Sequence, residues 1–191
     1  MELMPPPFPS EDMTNEPHTV ALSMQDLRVV ARYAAVSAQE ALAIFEAHSP
    51  DDRRPRLAIA AAWAFAEGAA RTKLQRTSAL ASHQAAREAT TEAAREAARA
   101  AGHAAAAAYL HPLARATQVK HILGAAAHAA RAAELTAGGD QRVGAEHIAQ
   151  ARQRATPELV AVLRRYPAAP AGGNRVAQLM CALDTALRAD S

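Results

Sequence analysis

Apolar residues recur every three or four positions along most of the chain, which is the spacing of helices that bury one face. The pattern is clearest in residues 109–135. At about 100° per residue, one arc of this segment is apolar and consists of Val119, Ile122, Leu123, Ala126 and Ala130. A second arc carries Lys120, Arg131 and Glu134, which we expect to face solvent. His111 and Pro112 precede the pattern, and because proline is tolerated in the first turn, they are predicted to open the helix.

A third arc of the same segment carries nitrogen-bearing side chains at spacings of three, four or seven residues. It contains His111, Gln118, His121 and His128. Solvent-facing surfaces seldom need so many histidines, and apolar cores seldom contain them. The arc therefore predicts either a polar pocket beside this helix or histidines that are hydrogen-bonded within the core, and both alternatives remain open. The candidate pocket residues are His111, Gln118, His121 and His128, with Tyr109, Trp63 and Glu67 around them.

Start and stop signals divide the rest of the chain into further helices. They are predicted over residues 23–48, 53–68, 71–100, 143–153, 156–166 and from Asn174 onwards, with Gly102 interrupting the long third pattern. Trp63 is favoured as a core anchor over a ligand-stacking platform. No strand pattern occurs. The sequence predicts an all-α fold of seven or eight helices, arranged as a single-domain bundle or as a short stack of helical hairpins.

The first 21 residues differ from the remainder, because five prolines and four carboxylates leave few apolar groups to bury. We expect residues 1–21 to form a disordered or loosely docked arm and residues 22–191 to form one helical domain. Cys181 is the only cysteine, so no internal disulfide is possible and a reducing compartment is expected. With neither a secretory signal nor a membrane span evident, the sequence predicts a cytoplasmic protein.

A stripe of basic residues follows one face of the third predicted pattern. It contains Lys73, Arg76, His83 and Arg87. The stripe is typical of a solvated face, but it also suits contact with an acidic partner protein or a phosphorylated ligand. Nucleic-acid binding is the least favoured interpretation, because no aromatic side chains interleave with the stripe. The net charge of +2 neither demands nor excludes it.

Catalytic and metal-binding patterns are sparse. His121 and His128 are seven residues apart, which separates them by about 10 Å along a helix, whereas two histidines of one helix that ligate the same metal ion are three or four residues apart. A metal site would need ligands from other helices, with His83, His103 or Glu67 as possible members, and this alternative is less favoured. We therefore predict no metal site and no cofactor. No nucleophile stands in a catalytic context. Acid–base chemistry by a central histidine with Glu67 or Glu134 remains open, so the sequence leaves undecided whether the protein is an enzyme.

Three stretches resemble a known family. They are AAWAFAEGAARTKLQRTSALASHQAARE (61–88), AYLHPLARATQVKHILGAAAHAARAAEL (108–135) and RRYPAAPAGGNRVAQLMCALDTALR (164–188). These runs are similar to small bacterial proteins described as immunity proteins, the type-five-like group of contact-dependent toxin systems. The resemblance extends from about residue 22 to residue 188, and the elements YLHP and QVKHIL are its most specific parts. It implies a cytosolic, all-helical protein that binds and blocks a cognate toxin.

Two functions of different kinds are therefore predicted. The first is an immunity or antitoxin-type protein whose partner is a toxin. The second is a small-molecule-binding protein or an enzyme of specialised metabolism or self-resistance, with a histidine-lined pocket beside the helix of residues 109–135. The oligomeric state does not follow from the sequence.

Overall fold

The structure, a computed structural model, describes residues 19–189 and contains eight α-helices in this range. They are α1 (Met24–Glu46), α2 (Arg54–Ala66), α3 (Lys73–Glu88), α4 (Glu92–Ala106), α5 (Val119–Thr136), α6 (Gln141–Gln153), α7 (Pro157–Leu163) and α8 (Arg175–Ala189). Two short 3-10 turns, Ala107–Tyr109 and Ala116–Gln118, lie between α4 and α5. The predicted all-α fold of seven or eight helices is confirmed. Most of the predicted arm, residues 1–18, lies outside the described residues.

Helices α4 and α5 occupy the centre of the domain. Helix α4 packs against α1, α2, α3 and α5, while α5 also packs against α1, α6 and α8. The buried surface of α4 consists mainly of alanines, and Ala94, Ala98, Ala101 and Ala105 are fully buried. Such small side chains let neighbouring helix axes approach closely, which offsets the small apolar area that each alanine buries.

Most helices begin at a side chain that caps the first free backbone N–H groups. Ser23 and Asp26 form the predicted capping box of α1, Thr156 caps α7 ahead of Pro157, and the Asn174 side chain accepts a hydrogen bond from the first turn of α8. These three predicted starts are confirmed. A cap satisfies donors that the helix itself leaves unpaired, so it fixes the position of the first turn.

The prediction of one continuous helix over residues 71–100 is wrong. Helix α3 ends at Glu88, and Ala89 is extended with φ −63° and ψ 135°. The side chain of Thr91 then accepts a hydrogen bond from the backbone N–H of Ala94 and starts α4. Gly102, which was expected to interrupt the helix, lies inside α4. Alanine favours helix throughout this region, so the Thr91 cap decides where the chain turns.

The prediction that His111 and Pro112 open the central helix is also wrong. α5 begins at Val119, and the preceding segment is mostly irregular. The carbonyl of Pro112 accepts a hydrogen bond from the backbone N–H of Val20, and the side chain of Gln118 accepts one from the backbone N–H of His111. The first bond joins the segment to the residues before α1, an interaction that local helical spacing does not reveal, and the second lies within the segment.

Candidate functional site

Three histidine rings from three neighbouring helices pack in a row, which we call the histidine ladder. It consists of His83 on α3, His103 on α4 and His128 on α5. The rings of His83 and His103 are nearly perpendicular, with centroids 5.4 Å apart. Those of His103 and His128 are stacked, with centroids 4.8 Å apart and an interplanar angle of 17°. The sequence predicted that His128 lies in a row of side chains along one helix, whereas in the structure its ring contacts His103 of the neighbouring helix α4.

Two glycines make room for this ladder. A Cβ atom on Gly102 would lie 2.7 to 2.9 Å from three atoms of the His83 ring, and one on Gly124 would lie 2.9 Å from Nδ1 of His103. Real Cβ atoms almost never come so close to other heavy atoms. The glycines therefore leave notches in α4 and α5, and an imidazole from the preceding helix fills each notch.

The ladder ends at the carboxyl group of Glu96. Nδ1 of His128 lies 2.5 Å from Oε2 of Glu96, and Oε1 of Glu96 accepts a hydrogen bond from Nη1 of Arg99 at 2.6 Å. Burial alone would raise the pKa of the Glu96 carboxyl, but His128 and Arg99 together hold it below its ordinary value. The Glu96 carboxyl therefore favours its charged form, in contact with His128 and Arg99.

The other rings of this region favour the neutral form. Burial lowers the pKa of His103 well below its ordinary value, and the nearby charge of His128 lowers it further. The same two causes lower the pKa of His83. Burial and the adjacent Lys120 lower the pKa of His121, whose ring hydrogen-bonds the backbone of Ala106 and leaves Nδ1 without a partner in the described part of the chain. Three imidazoles that favour the neutral form, one each on α3, α4 and α5, thus lie in this region.

The remaining candidate pocket residues lie in separate environments. The side chain of His111 is exposed, while its carbonyl accepts a hydrogen bond from the Tyr166 hydroxyl. Trp63 is partly buried and donates from Nε1 to the side chain of Gln39. Glu67 is exposed just after α2. The predicted pocket set is thus spread over several surfaces, and a shared pocket for it stays a prediction.

A cleft of about 390 Å³ lies between α4, α5 and α8, and His128 contributes to its wall. The other polar residues around it include Glu96, Arg99, Arg131 and Arg175. Arg99 and Arg175 were not predicted as site residues, because α4, α5 and α8 come together only in the folded chain. The cleft thus has both a ladder histidine and charged groups in its wall.

The expectation that Glu134 faces solvent is wrong. Glu134 is only 1% exposed and accepts hydrogen bonds from Arg131 at 2.7 Å and from Arg175 at 3.1 Å. A Cβ atom on Gly144 would lie 2.2 Å from its Oε2, so this carboxylate fills a notch in α6. Since Glu134 and Glu96 pair with the arginines of the cleft, the charges there are largely balanced.

The predicted basic stripe is split by the fold. Lys73, Arg76 and Arg87 are exposed, whereas His83 turns into the ladder. Leu74 and Leu80 on the same helix are also exposed, at 55% and 63%. The Tyr109 ring lies beside the stripe, with the guanidinium carbon of Arg76 5.0 Å from its centroid. The sequence-based argument that no aromatic residue accompanies the stripe is therefore wrong, because Tyr109 reaches it from a distant segment.

Two further properties concern the described chain. Among residues 19–189, no group of three or more His, Cys, Asp or Glu side chains has a geometry suited to a metal ion. Within the same range, every helix is too short or too polar to cross a membrane.

Comparison with known proteins gives one match. A family model described as "Imm-5 like putative immunity protein" matches residues 21–158, from just before α1 to the start of α7. No curated protein and no solved structure matches the chain. The match covers well over half of the sequence and confirms the resemblance seen in residues 61–88 and 108–135. The chain belongs to the family of Imm-5 like putative immunity proteins.

Proposed function

We propose that this protein is a cytoplasmic immunity protein that binds a cognate toxin and neutralises it. The family supports an immunity function in general, which requires recognition of a partner. The observation that carries the proposal further is the surface of α3, where Lys73 and Arg87 have no carboxylate partner within residues 19–189. Cations without a carboxylate partner, on the same helix as exposed leucines, are complementary to a protein surface that is acidic and partly apolar.

The packing of the histidines agrees with a blocking function. His83 and His103 fill glycine notches, and the ring of His128 stacks on His103 and bonds Glu96. These contacts account for the histidines as parts of helix packing. A blocker recognises its target through exposed side chains, so its binding energy is expected on surfaces such as α3.

The cleft beside His128 favours a second candidate function, in which the protein binds a small molecule or acts on it. Its volume of about 390 Å³ is within the range of ligand sites, and His128 with Glu96 forms an acid–base pair at its wall. In this alternative the arginines of the cleft hold an anionic group of the ligand.

Co-expression tests the two candidates against each other. The protein is first purified gently from its own host, and native followed by denaturing mass spectrometry identifies any protein or small molecule bound at fixed stoichiometry. A bound toxin is then co-expressed with the wild type and with Arg76→Glu, Arg87→Glu and His128→Gln. The proposal expects the wild type and His128→Gln to preserve growth and the two charge reversals to reduce it.

The matched control is Arg53→Glu, which makes the same charge change at an exposed position outside α3. It should protect as the wild type does, and thermal melting by circular dichroism should show that every variant is folded. Loss of protection only in folded His128→Gln, or a small molecule as the sole bound species, would overturn the proposal in favour of the cleft.

A further inference from the structure

Two arginines share one tyrosine ring at the beginning of α3. The guanidinium carbons of Arg71 and Arg76 lie 5.5 Å and 5.0 Å from the centroid of Tyr109, both within the range of cation–π contacts. Additional bonds hold the group in place: the Tyr109 hydroxyl donates to the carbonyl of Thr72, and Arg71 donates to the carbonyl of Ala108. We call these three residues the Arg71–Tyr109–Arg76 cluster.

The cluster has no anionic counterpart in the described chain. Neither arginine forms an ion pair with a carboxylate among residues 19–189, although both are exposed. Glu67, the preceding acidic residue along the chain, is also exposed and does not pair with them. Lys73 adds a third cation at the first position of α3. Like charges on one surface repel one another, so an anion bound beside these cations would relieve the repulsion.

We propose that the Arg71–Tyr109–Arg76 cluster is the anchor that receives a carboxylate from an acidic segment of the partner protein. This inference rests on the proposed function, because it names the contact through which a toxin is held. The ring pre-orients both guanidiniums, and the carbonyl of Ala108 also holds that of Arg71, so little side-chain freedom is lost when the carboxylate binds. Arginine and tyrosine are also the residue types most often found at energetic centres of protein interfaces.

The surroundings of the cluster favour a protein over a nucleic acid. Leu74 lies within α3 between the cluster arginines and is 55% exposed, and Leu80 follows one turn after Arg76 at 63% exposure. Apolar side chains of this size are suited to the apolar positions of a protein partner. The Tyr109 ring already has two guanidiniums beside it, which limits the stacking on which single-stranded nucleic-acid binding depends.

A hexaglutamate peptide provides a probe that does not require the toxin. Its binding to the full chain is followed at low ionic strength by NMR, using the Tyr109 ring signals and the arginine Nε–H signals. We expect saturable shifts at the cluster, and Arg71→Gln and Arg76→Gln should each weaken binding about three- to fivefold, the size of an exposed charge pair. Tyr109→Leu should weaken it similarly, while Tyr109→Phe, which keeps the ring and loses only the hydroxyl bond to Thr72, should weaken it less.

Arg53→Gln is the matched control, since it removes one exposed charge away from the cluster. Equal weakening by Arg53→Gln would show nonspecific attraction and overturn the proposal. Tighter binding of an oligothymidylate than of hexaglutamate, lost in the same cluster variants, would overturn it in favour of a nucleic acid.

A second experiment separates this inference from the proposed function. Growth protection against the identified toxin is measured for the wild type, Arg71→Gln, Arg76→Gln and Arg53→Gln. Weaker protection only by the cluster variants supports the anchor. Equal protection by all four overturns the anchor and leaves the immunity function intact. The wild-type protein could also bind the peptide through the cluster and yet protect cells against no protein that is found bound to it. That result supports the carboxylate site and overturns the immunity function.

Discussion

The imidazole of His103 lies so close to Gly124 that a Cβ atom at position 124 would be 2.9 Å from its Nδ1. Gly124 is in the middle of α5, where glycine is ordinarily less favourable than alanine. The glycine therefore has a packing role, because it provides the space in which a ring from α4 crosses to α5. Gly102 does the same for His83.

Gly124→Ala should destabilise the protein even though it raises helix propensity. In an unobstructed helix interior this change stabilises by up to about 1 kcal/mol. Here the added methyl group must displace the His103 ring, which is stacked against His128, and overpacking of this kind costs about 1–3 kcal/mol. We expect a net loss in the free energy of unfolding, measured by urea denaturation with circular dichroism.

The double variant Gly124→Ala/His103→Ala identifies the cause of that loss. Removing the ring removes the clash, so the alanine at position 124 should cost much less in the His103→Ala background than in the wild type. An equal cost in both backgrounds would show that the ring contact is not responsible.

Glu134→Gln should lower the free energy of unfolding by roughly 1–3 kcal/mol. The carboxylate is 1% exposed and receives hydrogen bonds from Arg131 and Arg175, so a neutral amide leaves both partly buried cations without their anion. The loss should appear in urea denaturation. Glu146→Gln, at an exposed position of α6, is the matched control and should change stability by less than about 0.5 kcal/mol.

The parts of the fold that depend on neighbouring residues could be predicted from the sequence. Ser23, Thr156 and Asn174 each cap a helix through an atom three residues away, and that spacing is visible in the chain. Helical periodicity likewise identified the buried face of α5, where Val119, Ile122 and Leu123 are fully buried. The all-α class follows from these local signals.

The candidate sites depend on contacts between distant segments, and these could not be predicted in the same way. Gly102 was interpreted as a helix breaker, since its packing role is not visible in the local sequence. The ring that it makes room for, His83, comes from another helix. Glu134 was placed in solvent because its partner Arg175 follows 41 residues later. Tyr109 contacts Arg71, although α3 and α4 lie between the two residues in the sequence. Periodicity indicates which face of a single helix is buried, and it does not predict which residues of different helices come into contact.

Thr91→Ala should destabilise the protein by about 1 kcal/mol, within the range of 0.5–2 kcal/mol for N-cap replacements. Its hydroxyl accepts the hydrogen bond from Ala94 that starts α4. The adjacent Thr90 is exposed and provides a matched control, because Thr90→Ala removes the same group without removing the cap. Equal losses in thermal melting for the two variants would contradict the role of Thr91 in separating α3 from α4.

The free energy of unfolding should fall as the pH decreases from about 6.5 to 5. The pKa values of His83, His103 and His121 lie below 6.5 in the folded protein, because burial disfavours the charged rings. In this window the unfolded chain binds protons that the folded chain does not, so acid favours unfolding. Above pH 7 the rings are neutral in both states and the slope should vanish. Urea denaturation at half-unit pH intervals measures it.

Variants assign the slope to the ladder. His103→Asn removes the ring with the strongest lowering of its pKa, and it should reduce the slope by up to about 1.4 kcal/mol per pH unit, the contribution of one proton. His111→Asn, which removes an exposed imidazole away from the ladder, is the matched control. Carboxyl groups such as Glu96 contribute only at lower pH, since their ordinary pKa is 4.5 and the folded value is lower. A wild-type protein whose stability is constant between pH 7 and 5 would show that these imidazoles titrate alike in the folded and unfolded chains.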